Sequence, residues 1–280
     1  MIAKGEALDT LPSALNEIKA ISRLAQGKRI VVFLDYDGTL TPIVKRPDLA
    51  VLADDMREAV VELSRRCPVG IISGRDLGDV QEKVGIDSLI YAGSHGFDIR
   101  GPEGFQVRET VGEEFLPALD RAGRSLSQRL GSLEGVIVER KKFAVAVHYR
   151  GVDPVRVEQV EAVLDEIAAD HPELRKACGK KIFELQPGMD WDKGKALLFL
   201  LRALKLDRPD VLPFYIGDDV TDEDAFRALE GRGIGIVVRD RPYKSAAAYR
   251  LRDPGEVREF LLRLVPLCRG PHELSEDRPQ

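Results

Sequence analysis

Five consecutive apolar residues, Ile30-Val31-Val32-Phe33-Leu34, run directly into Asp35-Tyr36-Asp37-Gly38-Thr39. A short run rich in β-branched residues and without polar alternation predicts a strand buried on both faces. Such a strand needs helices on both sides, and the flanking sequence supplies them. Leu15, Ile18, Ile21 and Leu24 predict a lead-in helix, and Met56, Ala59, Val60 and Leu63 predict another over Asp54–Arg66. The next predicted elements are a buried strand over Val69–Ile72, a helix over Asp76–Val84 and a strand over Leu89–Ala92. Strand and helix alternate, so the economical architecture is α/β, a doubly wound parallel sheet.

The middle of the chain changes character. Gly101-Pro102-Glu103-Gly104, between short apolar segments in 97–107, predicts a hairpin. A helix over 111–130 is followed by strands over 136–139 and 143–149, and the alternation in Ala144–Tyr149 predicts a half-exposed antiparallel strand. A helix over 155–169 and a second hairpin, 174–178 with 182–186, complete a smaller α+β segment. Parallel character then returns: a helix over 193–204, a strand over 213–216, a helix over 222–229, a strand over 234–238 and a closing helix over 256–264. The expected division is a core of 1–107 with 187–268, an inserted α+β cap of 108–186, and a disordered polar tail of 269–280.

Composition excludes several classes of function. Lys and Arg total 42 against 47 Asp and Glu, a formal charge of −5 in 280 residues. That balance gives no general attraction to nucleic acid or to an anionic membrane, so neither is expected as a partner. No apolar run is long enough to span a bilayer. The cysteines Cys67, Cys178 and Cys268 are widely spaced with no CxxC pair, which points away from a disulfide framework and toward a reducing, cytoplasmic setting.

The candidate chemistry sits at predicted strand ends, where open parallel sheets bind ligands. Asp35 and Asp37 follow one strand, Ser73-Gly74-Arg75 another, and Gly217-Asp218-Asp219-Val220-Thr221-Asp222 a third. Lys193 opens a helix, where a cation opposes the macrodipole. Singly these read as an Asx-turn, a helix cap or a solvated lysine; together they describe one site. Clustered carboxylates repel unless a hard cation neutralises them, and an all-oxygen set suits Mg²⁺. One carboxylate can then attack phosphorus, and a second can protonate the leaving oxygen and afterwards activate water. A hydroxyl, backbone N–H groups and a lysine match the equatorial phosphoryl oxygens.

The four strings DYDGTL, ISGR, DKG and GDDVTDED resemble, in order, the motifs of the haloacid dehalogenase-type phosphatases. With Ala92-Gly93-Ser94-His95-Gly96, they more narrowly resemble the trehalose-6-phosphate phosphatases. The resemblance implies a core of that family's Rossmann-like type with an α+β cap that selects the sugar. It implies Asp35 as nucleophile, Asp37 as acid/base, Ser73 and Lys193 as phosphoryl ligands, and Gly74 and Arg75 as substrate contacts beside them. Mg²⁺ would be held by the Asp35 carboxylate, the Asp37 carbonyl and Asp218, with Asp219 or Asp222 acting through water. In the cap, Glu139, Lys141 and Arg150, then Lys180 and Glu184, match the family's sugar-contacting pattern. Asp192 stands where the family commonly has Asn, a charge expected to weaken phosphate attraction slightly.

The cap residues also make sense by themselves, since Glu139 and Lys141 share one face of a strand and polar groups of both signs suit a hydroxyl-rich sugar. The competing reading is that Arg140-Lys141-Lys142 is a solvated turn, with Lys142 and Lys181 as adjacent competitors. His95 and His148 read as structural, and Trp191 as either a hinge contact or a shield. The expected reaction is Mg²⁺-dependent hydrolysis of trehalose 6-phosphate through an aspartyl-phosphate. Sucrose-, glucosylglycerol- or mannosylglycerate-phosphate is the alternative substrate, and a phosphosugar mutase a more distant one. A non-catalytic phospho-acceptor or sugar-phosphate sensor is the alternative of a different class; Asp37 argues against it, because a switch gains nothing from rapid hydrolysis. A trehalose-phosphate synthase is expected, if anywhere, on a separate chain.

Overall fold

The computed structural model describes residues 11–44, 46–102, 109–110, 112–179 and 181–268. The chain divides into two compact units, Met1–Arg108 with Asp192–Gln280, and Glu109–Trp191. The sequence expectation returned the chain to the first unit at residue 187, whereas the second unit continues through Trp191. Strand Ile182–Pro187 and the turn after it remain with that unit because Gly188 N bonds the Glu173 carbonyl at 2.8 Å.

In the first unit, strands Tyr249–Leu251, Ile234–Val238, Val211–Gly217, Arg29–Leu34, Val69–Ile72 and Ile90–Gly93 lie side by side in that order, all parallel. Asp98–Arg100 pairs antiparallel with Ile90–Gly93, and residues 103–108 of the expected hairpin lie outside the described residues, as does the tail. Strand Arg29–Leu34 is where the winding reverses, with later strands added on both of its sides. Ile30, Val32 and Leu34 pack with Met56, Val60 and Leu63 of helix Asp54–Ser64 and with Phe260, Leu261 and Leu264 of helix Pro254–Leu264. Val31 and Phe33 point the other way, toward Leu197, Leu200 and Leu201 of helix Lys193–Ala203 and Phe226 of helix Glu223–Ala228. The run Ile30–Leu34 is continuous because both of its faces are cores. Each such side chain contributes about 1.5–3 kcal/mol by leaving water, which fixes the strand whose end carries Asp35.

The second unit is a four-stranded antiparallel sheet, ordered Ile137–Lys141, Ala144–His148, Ile182–Pro187 and Leu174–Gly179. Helices Leu116–Leu130 and Val157–Asp170 cover one face through Leu119, Leu126, Leu164 and Ile167, which meet Val145, Val147 and Leu185. Strand Ala144–His148 corrects an expectation: it is buried along Ala144–Val147 rather than half-exposed. It is an inner strand, and its apparently exposed face carries the small residues Ala144 and Ala146, with the half-buried His148 at its end. Those small residues share rows with Lys141, Glu139 and Glu184 of the flanking strands, so long polar side chains occupy the space above them.

Candidate active site

Three adjacent parallel strands deliver the core residues. Asp35 leaves the end of Arg29–Leu34 with its N–H still bonded to the Ile216 carbonyl of the neighbouring strand, at 2.9 Å. The chain then turns tightly, with the N–H groups of Leu40 and Thr41 both reaching the Tyr36 carbonyl and Gly38 N reaching the Thr41 carbonyl at 2.8 Å. Gly38 is required here. Its φ is +83°, and a Cβ at this position would lie 2.2 Å from an Asp218 carboxylate oxygen. The turn after one strand and the acidic loop after the next are thus fitted to each other through a residue with no side chain.

The acidic loop is organised around Asp222, which is fully buried. Its Oδ1 accepts from Lys193 Nζ at 2.7 Å and Tyr215 OH at 2.6 Å, and its Oδ2 from the backbone N–H groups of Asp218 and Asp219 at 2.9 Å each. A carboxylate has about four lone-pair sites, so Asp222 is saturated by protein donors. Asp219 turns its Oδ1 back to Val220 N at 2.7 Å and caps the next turn. Arg239 Nη2 donates to the Asp218 carbonyl at 2.8 Å, fixing the backbone of the remaining acid.

Lys193 bridges the two strand ends. It is only 3% exposed, and its Nζ lies 2.9 Å from Asp35 Oδ1 as well as 2.7 Å from Asp222. Burial alone would lower its pKa, but Asp222 and Asp35 outweigh that and hold the ammonium well above its ordinary range. Burial pushes the Asp35 carboxyl up to about 7 against the pull of Lys193, and burial with the nearby Asp35 and Asp222 pushes Asp218 up to about 8. Oxygens of Asp35, Asp218 and Asp222 lie within 4.8 Å of one another. One ammonium among three carboxylates leaves an excess of negative charge in a buried, all-oxygen setting. The chemistry of that donor set fits a hard divalent cation.

Ser73 follows strand Val69–Ile72, buried, with its Oγ accepting from Arg75 N at 3.2 Å. Gly74 is needed beside it because a Cβ there would lie 2.8 Å from the His95 ring. Ser94 and His95 themselves take φ of 50° and 57°, and their N–H groups bond the Arg75 and Ser73 carbonyls at 2.6 and 2.8 Å. Two successive non-glycine residues in this region carry strain, here held by the loop they brace. Arg75 departs from the expected substrate contact. Its guanidinium is directed to Asp37, Asp79 and the Pro47 carbonyl, leaving no fork for a phosphoryl group. Asp192 caps helix Lys193–Ala203, with Oδ1 2.8 Å from Lys195 N, so its additional charge is placed on the helix start.

On the second unit, Lys141 Nζ meets Glu184 Oε1 at 2.7 Å, and Gln186 Nε2 meets Glu184 Oε2 at 2.8 Å. Glu139 Oε2 lies 2.7 Å from His148 Nε2, and this hydrogen bond holds the Glu139 carboxyl below its ordinary value. Glu139, Lys141 and Glu184 therefore share one polar face. Arg140, between the first two, points to the helix face and pairs with Asp120 at 2.8 Å. Lys142 and Lys181 lie over the rings of Phe143 and Tyr149. Arg150 is exposed in the turn after strand Ala144–His148, and Lys180 lies outside the described residues.

Sequence reasoning missed Tyr215, Arg239 and Gln186. Tyr215 reads as one more aromatic in a buried strand, and nothing local marks its hydroxyl as a partner of Asp222. Arg239 carries no local signal. Gln186 had one: it stands two residues after Glu184 in a strand, so both share a face.

Comparison with known proteins gives consistent results. A family model described as trehalose-phosphatase matches residues 33–255. A trehalose 6-phosphate phosphatase of Zea mays is 44% identical over 279 residues, covering 93% of this chain and 76% of that protein. Trehalose-phosphate phosphatase B of Arabidopsis thaliana is 43% identical over 265 residues, covering 91% and 71%. Among solved structures, the C-terminal domain of the C. albicans trehalose-6-phosphate phosphatase superposes with a TM-score of 0.76 at 25% identity, covering 92% of this chain and 99% of that one.

Proposed function

This chain belongs to the trehalose-phosphatase family, and from that membership and the geometry of its acidic cluster we propose that it hydrolyses trehalose 6-phosphate to trehalose and phosphate. The observation that carries the chemistry is the buried cluster of Asp35, Asp218 and Asp222 just beyond the ends of adjacent parallel strands, with Lys193 bonded to Asp35 and Asp222. The identity with plant relatives named for this reaction carries the substrate.

In this reading an Asp35 carboxylate oxygen attacks phosphorus, and the bond from phosphorus to the sugar 6-oxygen breaks as Asp37 delivers a proton to that oxygen. Water then attacks the aspartyl-phosphate while Asp37 takes its proton; the bond to Asp35 breaks, and phosphate leaves. Two of the three N–H bonds of Lys193 go to carboxylates, and the third is suited to a phosphoryl oxygen. Ser73 and the N–H groups of its loop are assigned the other equatorial oxygens. Mg²⁺ is the proposed cation, held by Asp35, Asp218 and the Asp37 carbonyl, and when bound it neutralises charge on the transferring group. Asp222 is assigned the task of holding Lys193, Asp218 and Asp219 in place, which follows from its saturated carboxylate. The polar face of Glu139, Lys141 and Glu184 is proposed to bind sugar hydroxyls. The substrate is made by glycosyl transfer onto a hexose phosphate, and a trehalose-phosphate synthase is its proposed source.

Asp35→Asn tests the covalent assignment. Phosphate release should vanish while the thermal melt stays cooperative, because an amide is a poor nucleophile and the position is a strand end. Release near the wild-type rate would overturn it.

A further inference from the structure

Arg75 is 9% exposed, although guanidinium groups seldom leave water without several partners. Its Nε and Nη2 grip both oxygens of Asp37 at 2.6 and 2.7 Å, a bidentate fork. Three further contacts hold the guanidinium itself. Nη1 donates to Asp79 Oδ2 at 2.7 Å, Nη2 also donates to the Pro47 carbonyl at 2.8 Å, and the Tyr36 ring lies 5.3 Å below Cζ. Tyr36 is in turn fixed by its hydroxyl bond to the Ala50 carbonyl at 3.1 Å. The two members of the fork are unequal. Arg75 is enclosed and braced, whereas the Asp37 side chain is 43% exposed and on the open side.

A pairing that served only to satisfy the buried guanidinium would not need its acid on the open side, where water weakens the attraction. A braced fork instead sets the plane and the reach of whichever carboxylate it holds. We propose that Arg75 is a positioning residue for proton transfer, a rigid cradle that orients the Asp37 carboxyl toward the leaving oxygen. This rests on the reading of Asp37 as the acid/base. The cradle exists before substrate arrives, so Asp37 does not have to find its geometry during the reaction. Lysine cannot reproduce it, because an ammonium has no planar pair of parallel N–H groups to fix the plane of a carboxylate.

The test is leaving-group dependence on simple phosphates with no sugar to grip. A positioned acid matters most where the leaving group is a poor one. The ratio kcat/KM, which reports the first phosphoryl transfer, is measured for p-nitrophenyl phosphate, phenyl phosphate and a simple alkyl phosphate. In Arg75→Lys the alkyl phosphate should lose about tenfold to a hundredfold, in line with the cost of small misplacements of a reacting group. p-Nitrophenyl phosphate, whose leaving group needs no proton, should lose about twofold or less. Asp37→Asn sets the limiting dependence. If Asp37→Asn steepens the dependence and a folded Arg75→Lys falls equally on all three substrates, Arg75 only supports the fold and the inference is wrong. If Asp37→Asn leaves the dependence unchanged, the acid assignment itself fails. Should Arg75→Lys lose its cooperative melt, Asp79→Asn keeps the fork and removes one brace. It should steepen the dependence in the same direction by a smaller factor, and an unchanged dependence there overturns the proposal.

Discussion

Replacing Asp222 by asparagine should be among the most damaging single-atom changes in this protein. The wild-type carboxylate receives Lys193 and Tyr215 on one oxygen and two backbone N–H groups on the other, with no exposure to water. An amide offers one acceptor oxygen and one NH₂ group. If the oxygen stays with the loop, Lys193 loses its acceptor here and Tyr215 must turn its hydroxyl to accept from the NH₂ group, exchanging a charge-assisted bond for a neutral one; if it stays with Lys193, the Asp218 and Asp219 amides face a donor. Hydrogen bonds to charged groups are worth about 1.5–3 kcal/mol each, so the loss is about 3–6 kcal/mol. That is a large part of the 5–15 kcal/mol typical of a folded protein. Tyr215→Phe removes one of the same bonds and should cost about half as much. Urea unfolding followed by circular dichroism gives both values as midpoint shifts at constant slope. An Asp222→Asn variant within about 1 kcal/mol of wild type, or a Tyr215→Phe loss larger than the Asp222→Asn loss, would refute the view of Asp222 as the organiser of the acidic loop.

Two other predictions follow from the same geometry. Glu184→Ala removes the partner of both Lys141 and Gln186, and kcat/KM for trehalose 6-phosphate should fall at least about tenfold, the equivalent of one charged hydrogen bond, with p-nitrophenyl phosphate changed about twofold or less. Equal losses on both substrates would make Glu184 a support of the fold. The second concerns pH. Asp35 and Asp218 are pushed up to about 7 and about 8, chiefly by burial, from an ordinary value of 3.8. Each is an acid whose pKa is raised on folding. Below pH 4 both are protonated in either state, and the metal-free protein loses stability as pH rises from about 4 to about 8. Mg²⁺ should therefore raise the melting temperature more at pH 8.5 than at pH 5.5, and equal shifts would contradict the assignment of the cation to these carboxylates.

The apolar run Ile30–Leu34 announces the parallel core because burial on both faces leaves no polar alternation, and its shortness and β-branched content favour a strand over a buried helix. The placement of Asp35, Ser73 and Asp218 at strand ends was legible for the same reason, since each follows such a run. The network among them was not. Lys193 reaches Asp35 across 158 positions of sequence and Arg75 reaches Asp37 across 38, and which donor meets which acceptor is decided by backbone packing. Arg75 looks like a phosphate ligand beside Ser73 and Gly74, and only the positions of Pro47 and Asp79 show its guanidinium turned to the protein. Strand Ala144–His148 misled because alternation of alanine and valine marks two faces without saying what lies over the small one.

The central claim is most directly tested by measuring phosphate release, with Mg²⁺, from trehalose 6-phosphate beside sucrose, glucosylglycerol and mannosylglycerate phosphates. The account predicts a kcat/KM for trehalose 6-phosphate at least about tenfold above every other member of the panel, the equivalent of one well-placed charged hydrogen bond. An equal or higher value for any of the others, or no release from trehalose 6-phosphate, would contradict it.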